Sequence, residues 1–230
     1  MSIKRIYLTR RNPAISAADF PREWRRHAAL AASFSNVNRR YTRVAQCTKA
    51  EGLPVQPQND FSGVALLWME SLEVALEVNN DPQIIERLRP DEVRVFGMEV
   101  THCAMFTEET VLLDGPAAGF VVIEFLMRSP ALSKEEFAQQ WQAHAATVLT
   151  NAQVKHLVRR YAQDLVVQQP PPGYEFDGVS EMWFDSMEDA VALLDDPAYV
   201  KGVQESRAAF CDPSRTVLMP TKVTHAWAAA

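Results

Sequence analysis

The chain has 230 residues, 47% hydrophobic and 23% charged, with a net charge of −6, the balance of an ordinary globular protein with room for one large domain or two smaller ones. Acidic and basic residues are mixed, and the Arg pairs at 10–11, 25–26, 39–40 and 159–160 form no basic stripe, so no nucleic-acid partner is expected. No apolar run approaches the length of a membrane span, the segment from Met1 to Arg5 has no apolar signal core, and Cys47, Cys103 and Cys211 form no CxxC pair, so a reduced, cytoplasmic protein without a membrane partner is expected.

In chain order, Ile3 to Arg11 reads as a first strand. A helix follows, opened by Ser16-x-x-Asp19, with Phe20, Trp24, His27 and Ala31 on one face, the spacing of an amphipathic helix. The second strand is read at Arg40 to Cys47. After it comes a long Pro-containing segment, Thr48 to Asp60, expected to form the lid or rim of a cleft. The third strand is read at Gly63 to Met69, and a helix starts at Ser71. Asp81-Pro82 has the form of an N-cap with proline in the first helical position. A last strand is expected at Val93 to Cys103, and Asp114-Gly115-Pro116 supplies turn residues near a join at Glu108 to Gly119.

The remainder of the chain repeats this order. Phe120 to Arg128 is a first strand, apolar on both faces, which requires cover on both sides. Ser133-x-x-Glu136 is a capping box, and Phe137, Trp141, His144 and Val148 share a helical face. Arg160 to Val167 and Val179 to Phe184 are strands separated by the Pro-rich segment Gln168 to Asp177, a second expected lid or rim of a cleft. A helix starts at Ser186, Asp196-Pro197 repeats the cap, and Thr216 to Ala226 is the last strand.

The repeat extends to single residues. Phe20, Trp24 and His27 return as Phe137, Trp141 and His144, and Arg11-x-Pro13-Ala14-x-Ser16 returns as Arg128-x-Pro130-Ala131-x-Ser133, all 117 positions on. Arg39-Arg40-Tyr41 matches Arg159-Arg160-Tyr161 at 120. Gly63-Val64, Trp68, Ser71 and Asp81-Pro82 match Gly178-Val179, Trp183, Ser186 and Asp196-Pro197 at 115. Val100-Thr101-His102 matches Val223-Thr224-His225 at 123. Such an ordered series marks two copies of one unit, at 1–110 and 118–230. Each copy reads β-α-β-β-α-β, a ferredoxin-like α+β motif. A single copy leaves one apolar sheet face uncovered. Burying several hundred Å² of it at about 25 cal/mol per Å² is worth on the order of ten kcal/mol before entropy costs. The two copies are therefore expected to close on one another as an intramolecular α+β barrel.

This constellation resembles the EthD family, within the dimeric α+β barrel superfamily. The resemblance rests on Phe137-x-x-x-Trp141-x-x-His144, on Arg160-Tyr161, and on Asp177-Gly178-Val179-x-Glu181-x-Trp183-Phe184 followed by Asp196-Pro197. The first half departs from the pattern, with Leu66 where the second has Glu181 and Met69 where it has Phe184. The resemblance implies a helix histidine and a second-strand tyrosine near a cleft: His27 with Tyr41, and His144 with Tyr161. Relatives include isomerases, decarboxylases and dehydratases.

The candidate catalytic residues are thus His27, Tyr41, His144, Tyr161 and Glu181. Histidine titrates near neutrality, tyrosine can donate to a developing oxyanion, and a carboxyl turned into a barrel is desolvated and can serve as acid or base. Each has a packing alternative: a core histidine held by a carbonyl, a core tyrosine, or a salt-bridged carboxylate. Trp68, Trp183, Glu124, His102 and His225 are candidate substrate-binding residues. Glu124 shares a strand face with Val122 and Leu126, and His102 and His225 stand near strand ends. The five histidines show no HxH or HExxH spacing, and no Gly-rich phosphate loop or GxSxG elbow is present. No metal and no cofactor are therefore expected. Three functions fit: an acid–base enzyme for a small apolar or aromatic oxygenated molecule such as a lactone or cyclic ketone, a non-catalytic binder of such a molecule, or a filled structural barrel. Glu181 favours the second half as the seat of chemistry, and a homodimer is compatible with the sequence.

Overall fold

A computed structural model describes residues 2–50, 59–116 and 118–228. Strand β1 (Ser2–Thr9) leads to helix α1 (Phe20–Ala32), a short α2 (Ser35–Asn38) and strands β2 (Tyr41–Lys49) and β3 (Gly63–Met69). Helix α3 (Leu72–Asn79), a π-helical stretch (Ile84–Leu88), α4 (Arg89–Phe96) and a 3-10 turn (Val100–His102) precede β4 (Ala104–Leu113). The second half has β5 (Phe120–Leu126), α5 (Lys134–Thr150), α6 (Ala152–Leu157), β6 (Arg160–Val166), β7 (Gly178–Phe184), α7 (Met187–Leu194), α8 (Pro197–Tyr199), further π and 3-10 turns, and β8 (Val217–Ala228). No helix among the described residues is long and apolar enough to cross a membrane.

Four of the caps read from the sequence are made, whereas Asp19 at the start of α1 makes no side-chain cap bond. Ser133 and Glu136 form a reciprocal capping box, the Ser71 and Ser186 side chains accept from the first turns of α3 and α7, and Asp196 accepts from Tyr199 N. One expectation is overturned. The segment Val93 to Cys103 is not a strand: α4 runs through Phe96 and ends at Gly97, which takes φ 75°, the left-handed conformation that closes helices at glycine. Asp91 and Glu92 occupy the first turn of α4, and Glu92, Val95 and Phe96 face inward. The strand starts at Ala104. The Val100-Thr101-His102 match to Val223-Thr224-His225 is therefore not structural, because His102 lies in the turn before β4 and His225 lies within β8 opposite Gln46. The packing equivalents in this region are Phe96, 5.3 Å from the His27 ring, and Phe210, 5.2 Å from that of His144.

Eight antiparallel strands close a barrel in the order β1-β3-β2-β8-β5-β7-β6-β4, with β4 returning to β1. Each half contributes four consecutive neighbours, and the halves join along β2–β8 and β4–β6. Thus the edge strands of each half are paired by the other, and no open edge remains. Every residue of β3 and β7 is buried, since one face looks into the barrel and the other lies under helices. The Gln168–Asp177 segment is packed down rather than raised, with Tyr174 and Phe176 buried against Phe61 and Phe125. Residues 51–58 of the other Pro-containing segment lie outside the described residues.

Candidate functional site

Two separate polar regions result. The first lies inside the barrel. Lys4 Nζ sits 2.8 Å from Glu109 Oε1, 3.1 Å from Asp164 Oδ1 and 2.8 Å from Glu181 Oε1, and Lys4, Asp164 and Glu181 are wholly buried. Trp183 Nε1 donates to Glu181 Oε2 at 3.0 Å, and Trp68 Nε1 donates to Glu109 Oε2 at 3.0 Å. Arg160 reaches Glu109 at 2.9 Å, and Arg43 stacks over the rings of Trp68 and Trp183. Burial alone would lower the Lys4 pKa; the three carboxylates outweigh it and hold the ammonium charged. Burial pushes the Asp164 carboxyl well above the usual carboxylate range, against the pull of Lys4. Glu181 is thus the salt-bridged carboxylate among its sequence alternatives. Trp68 and Trp183 wall an ion network here.

The second region lies between the sheet and the helices of the first half. It encloses a cavity of about 60 Å³ with Arg5, Tyr7, His27, Tyr41, Glu92 and Trp227 on its wall, room for a few heavy atoms by the measure in which a water needs about 10–15 Å³. Arg5 and Tyr7 alternate with the inward Lys4 and Ile6 on β1, so they face the helices. Tyr41 reaches the same side through a register shift between Tyr41 and Arg43, a bulge that re-aims a side chain. Trp227 arrives on β8, so the second half closes a first-half cavity.

His27 projects from the inner face of α1, and its Nδ1 lies 2.8 Å from Asp91 Oδ2 on α4. The His27 hydrogen bond, joined by Arg94 and opposed by partial burial, holds Asp91 down to about 2. An ionised Asp91 accepts from Nδ1–H and so orients the ring, leaving Nε2 as the nitrogen outside that bond. Burial raises the pKa of both Tyr41 and Tyr7, so both phenols stay neutral and able to donate. The Tyr7 oxygen accepts from Trp24 Nε1 at 3.2 Å.

The corresponding region of the second half is nearly filled. Glu124, His144, Tyr161, Tyr199 and Arg207 surround a void of about 10 Å³. Arg207 pairs with Glu124, so Glu124 faces the helices and not the barrel interior. His144 has no carboxylate: its Nδ1 lies 3.4 Å from Ser206 Oγ, and its Nε2 is buried without a partner. Burial, then Arg207, pull its pKa down. Tyr161 accepts from Gln163 Nε2 at 3.0 Å. The cavity and the histidine–carboxylate pair therefore lie in the first half, opposite to the half that Glu181 pointed to.

His27 and Tyr41 come together as read; Glu181, Trp68 and Trp183 do not join them. His102 is exposed in its turn, and His225 is half-buried on β8, its pKa lowered by burial and by Arg25. Arg5, Tyr7, Asp91, Glu92 and Trp227 were missed. Arg5 and Tyr7 carried a signal, as polar groups alternating through a buried strand. Asp91 and Glu92 were hidden because the residues from Val93 onward were read as a strand, so the helix that carries all of them went unrecognised.

The model of the EthD domain matches the chain twice, at residues 12–97 and 129–214. No curated protein matches the sequence. Among solved structures, an anthrone oxidase-like protein superposes with a TM-score of 0.67 at 12% identity, covering 100% of this chain and 93% of its own. A Fusobacterium nucleatum protein named as a monooxygenase gives 0.63 at 6% identity, with 100% and 95% covered. A chlorite dismutase-like protein gives 0.57 at 11% identity, with 97% and 95% covered. At these identities the likeness is one of fold.

Proposed function

The chain belongs to the EthD family, and we propose that its first half holds a cofactor-free acid–base site for a small oxygenated molecule of the lactone, cyclic-ketone or polyketide-like class. The observation that carries this reading is the His27–Asp91 pair on the wall of an enclosed, largely apolar cavity. In this reading His27 takes a proton from carbon next to a carbonyl, with Asp91 orienting the ring and steadying the imidazolium. Tyr41 donates to the carbonyl oxygen as it gains charge. Return of the proton at another carbon completes an isomerisation; loss of carbon dioxide or of water uses the same groups. We also read each half as a ferredoxin-like unit, on its strand order β4-β1-β3-β2 or β8-β5-β7-β6, with the units meeting between β4 and β5.

Proton exchange tests the assignment. A panel of lactones and cyclic ketones is incubated with the protein in deuterated water, and loss of the proton next to the carbonyl is followed by NMR. Replacement His27→Gln lowers the exchange rate about a hundredfold or more. Undiminished exchange in that variant refutes the role of His27. The alternative, a binder without turnover, is supported by the same enclosure; it predicts ligands that raise the melting temperature with no exchange above background.

A further inference from the structure

Arg5 is a buried cation without an anion. Its side chain is only 4% exposed, its Nε has no hydrogen-bond partner, and among the described residues no carboxylate comes within ion-pairing distance of it. Among the described residues, the other buried Lys and Arg side chains are paired, Lys4 with three carboxylates and Arg160 with Glu109, and the half-buried Arg207 is paired with Glu124. Arginine keeps its charge at any working pH, and an isolated buried ion is strongly disfavoured. Tyr41, the hydroxyl facing it, stays neutral because burial raises its pKa. Glu92 is the acidic residue on the same wall, and its Oε2 is held by the Val100 amide at 2.8 Å.

The second half shows what fills such a gap. Val122 stands at the position of Arg5, since Arg5 lies opposite Leu67 and Val122 opposite Met182. The layer between sheet and helices there contains its own guanidinium and carboxylate, Arg207 with Glu124, and the void shrinks to about 10 Å³. The closed half supplies its own carboxylate. The open half has the cation, the space and, among the described residues, no carboxylate within ion-pairing distance of that cation.

We propose that the first-half cavity takes a small monocarboxylate, its carboxylate pairing with Arg5 and its apolar remainder lying against Leu67, Leu88 and Trp227. Arginine matches a carboxylate with parallel donors. Glu92, on the same wall and beyond ion-pairing distance of Arg5, repels a carboxylate and so favours the orientation that puts the ligand's charge on Arg5. This rests on the small-molecule site inferred above and adds the charge and polarity of its ligand.

Calorimetric titration and thermal shift of the full chain compare crotonate and butyrate with crotonamide and butyramide, with inorganic phosphate alongside. At least one carboxylate binds about tenfold or more tightly than its amide. Arg5→Gln abolishes that difference. Equal affinity for acid and amide overturns the proposal. So do undiminished carboxylate affinity in Arg5→Gln, phosphate binding tighter than every carboxylate, and absence of carboxylate binding. The acid–amide comparison uses the unaltered protein, so an Arg5→Gln variant that fails to fold leaves the test intact. Carboxylate binding without proton exchange would remove the acid–base reading and leave this one standing.

Discussion

His27 and His144 project from equivalent helices against equivalent phenylalanines, Phe96 and Phe210. Their partners separate them. Asp91 gives His27 a fixed tautomer, while Ser206 gives His144 a long contact and leaves Nε2 unpaired. Burial depresses the His144 pKa below 6.5, so in the window from that value downward the unfolded chain holds more protons than the folded one. Stability therefore falls as pH drops through this window. His144→Gln removes the titration and blunts the loss. Urea midpoints for both proteins at about pH 7.5 and about pH 5 check it; an equal fall in the variant assigns the acid sensitivity to other groups.

At the scale of elements, the helix–sheet contact explains why glycine opens the third strand of each half. A Cβ on Gly63 would lie 2.5 Å from Trp24 Cζ3 and 2.8 Å from the Cys47 carbonyl oxygen, and one on Gly178 would lie 2.4 Å from Trp141 Cζ3. The indoles of α1 and α5 rest directly on these backbones. Gly63→Ala forces the ring or β2 to move and costs about 1–3 kcal/mol, read from denaturant unfolding. A neutral substitution would mean that α1 slides freely on the sheet. The same layer positions the cavity, because the Trp24 ring seats α1 while the β2 bulge carries Tyr41 beneath it.

Across the whole molecule, duplication has kept the fold and divided the chemistry. Where the second half presents Asp164 and Glu181 to the barrel interior, the first presents Cys47 and Leu66; where the first presents Lys4, the second presents Val121. One side of the interior is ionic and its pseudosymmetric counterpart is apolar. Lys4→Met leaves buried carboxylates without their cation and destabilises by about 3–5 kcal/mol. Taking the apolar half as template, the triple variant Lys4→Val, Asp164→Cys, Glu181→Leu recovers most of that loss. Chemical denaturation of both variants decides the matter. If Lys4→Met alone were neutral, the network would not be carrying the closure of the barrel.

The doubled unit, its helix caps, most of its strands and the pairing of the halves were legible in the sequence, because they rest on local periodicity, capping chemistry and an uncovered apolar face. His27 and Tyr41 were legible as part of a repeated pattern. The asymmetry was not. His144 and Tyr161 repeat that pattern, yet their space is filled by Tyr199 and by the Arg207–Glu124 pair, which come from elements far apart in the chain. Glu181 drew attention as a carboxylate in a buried strand, but its partner Lys4 lies 177 residues away, and only closure of the barrel brings them together. The order of residues determined that two similar layers would form. Which layer kept an opening was decided by side chains meeting across the fold, where volume and charge must balance locally.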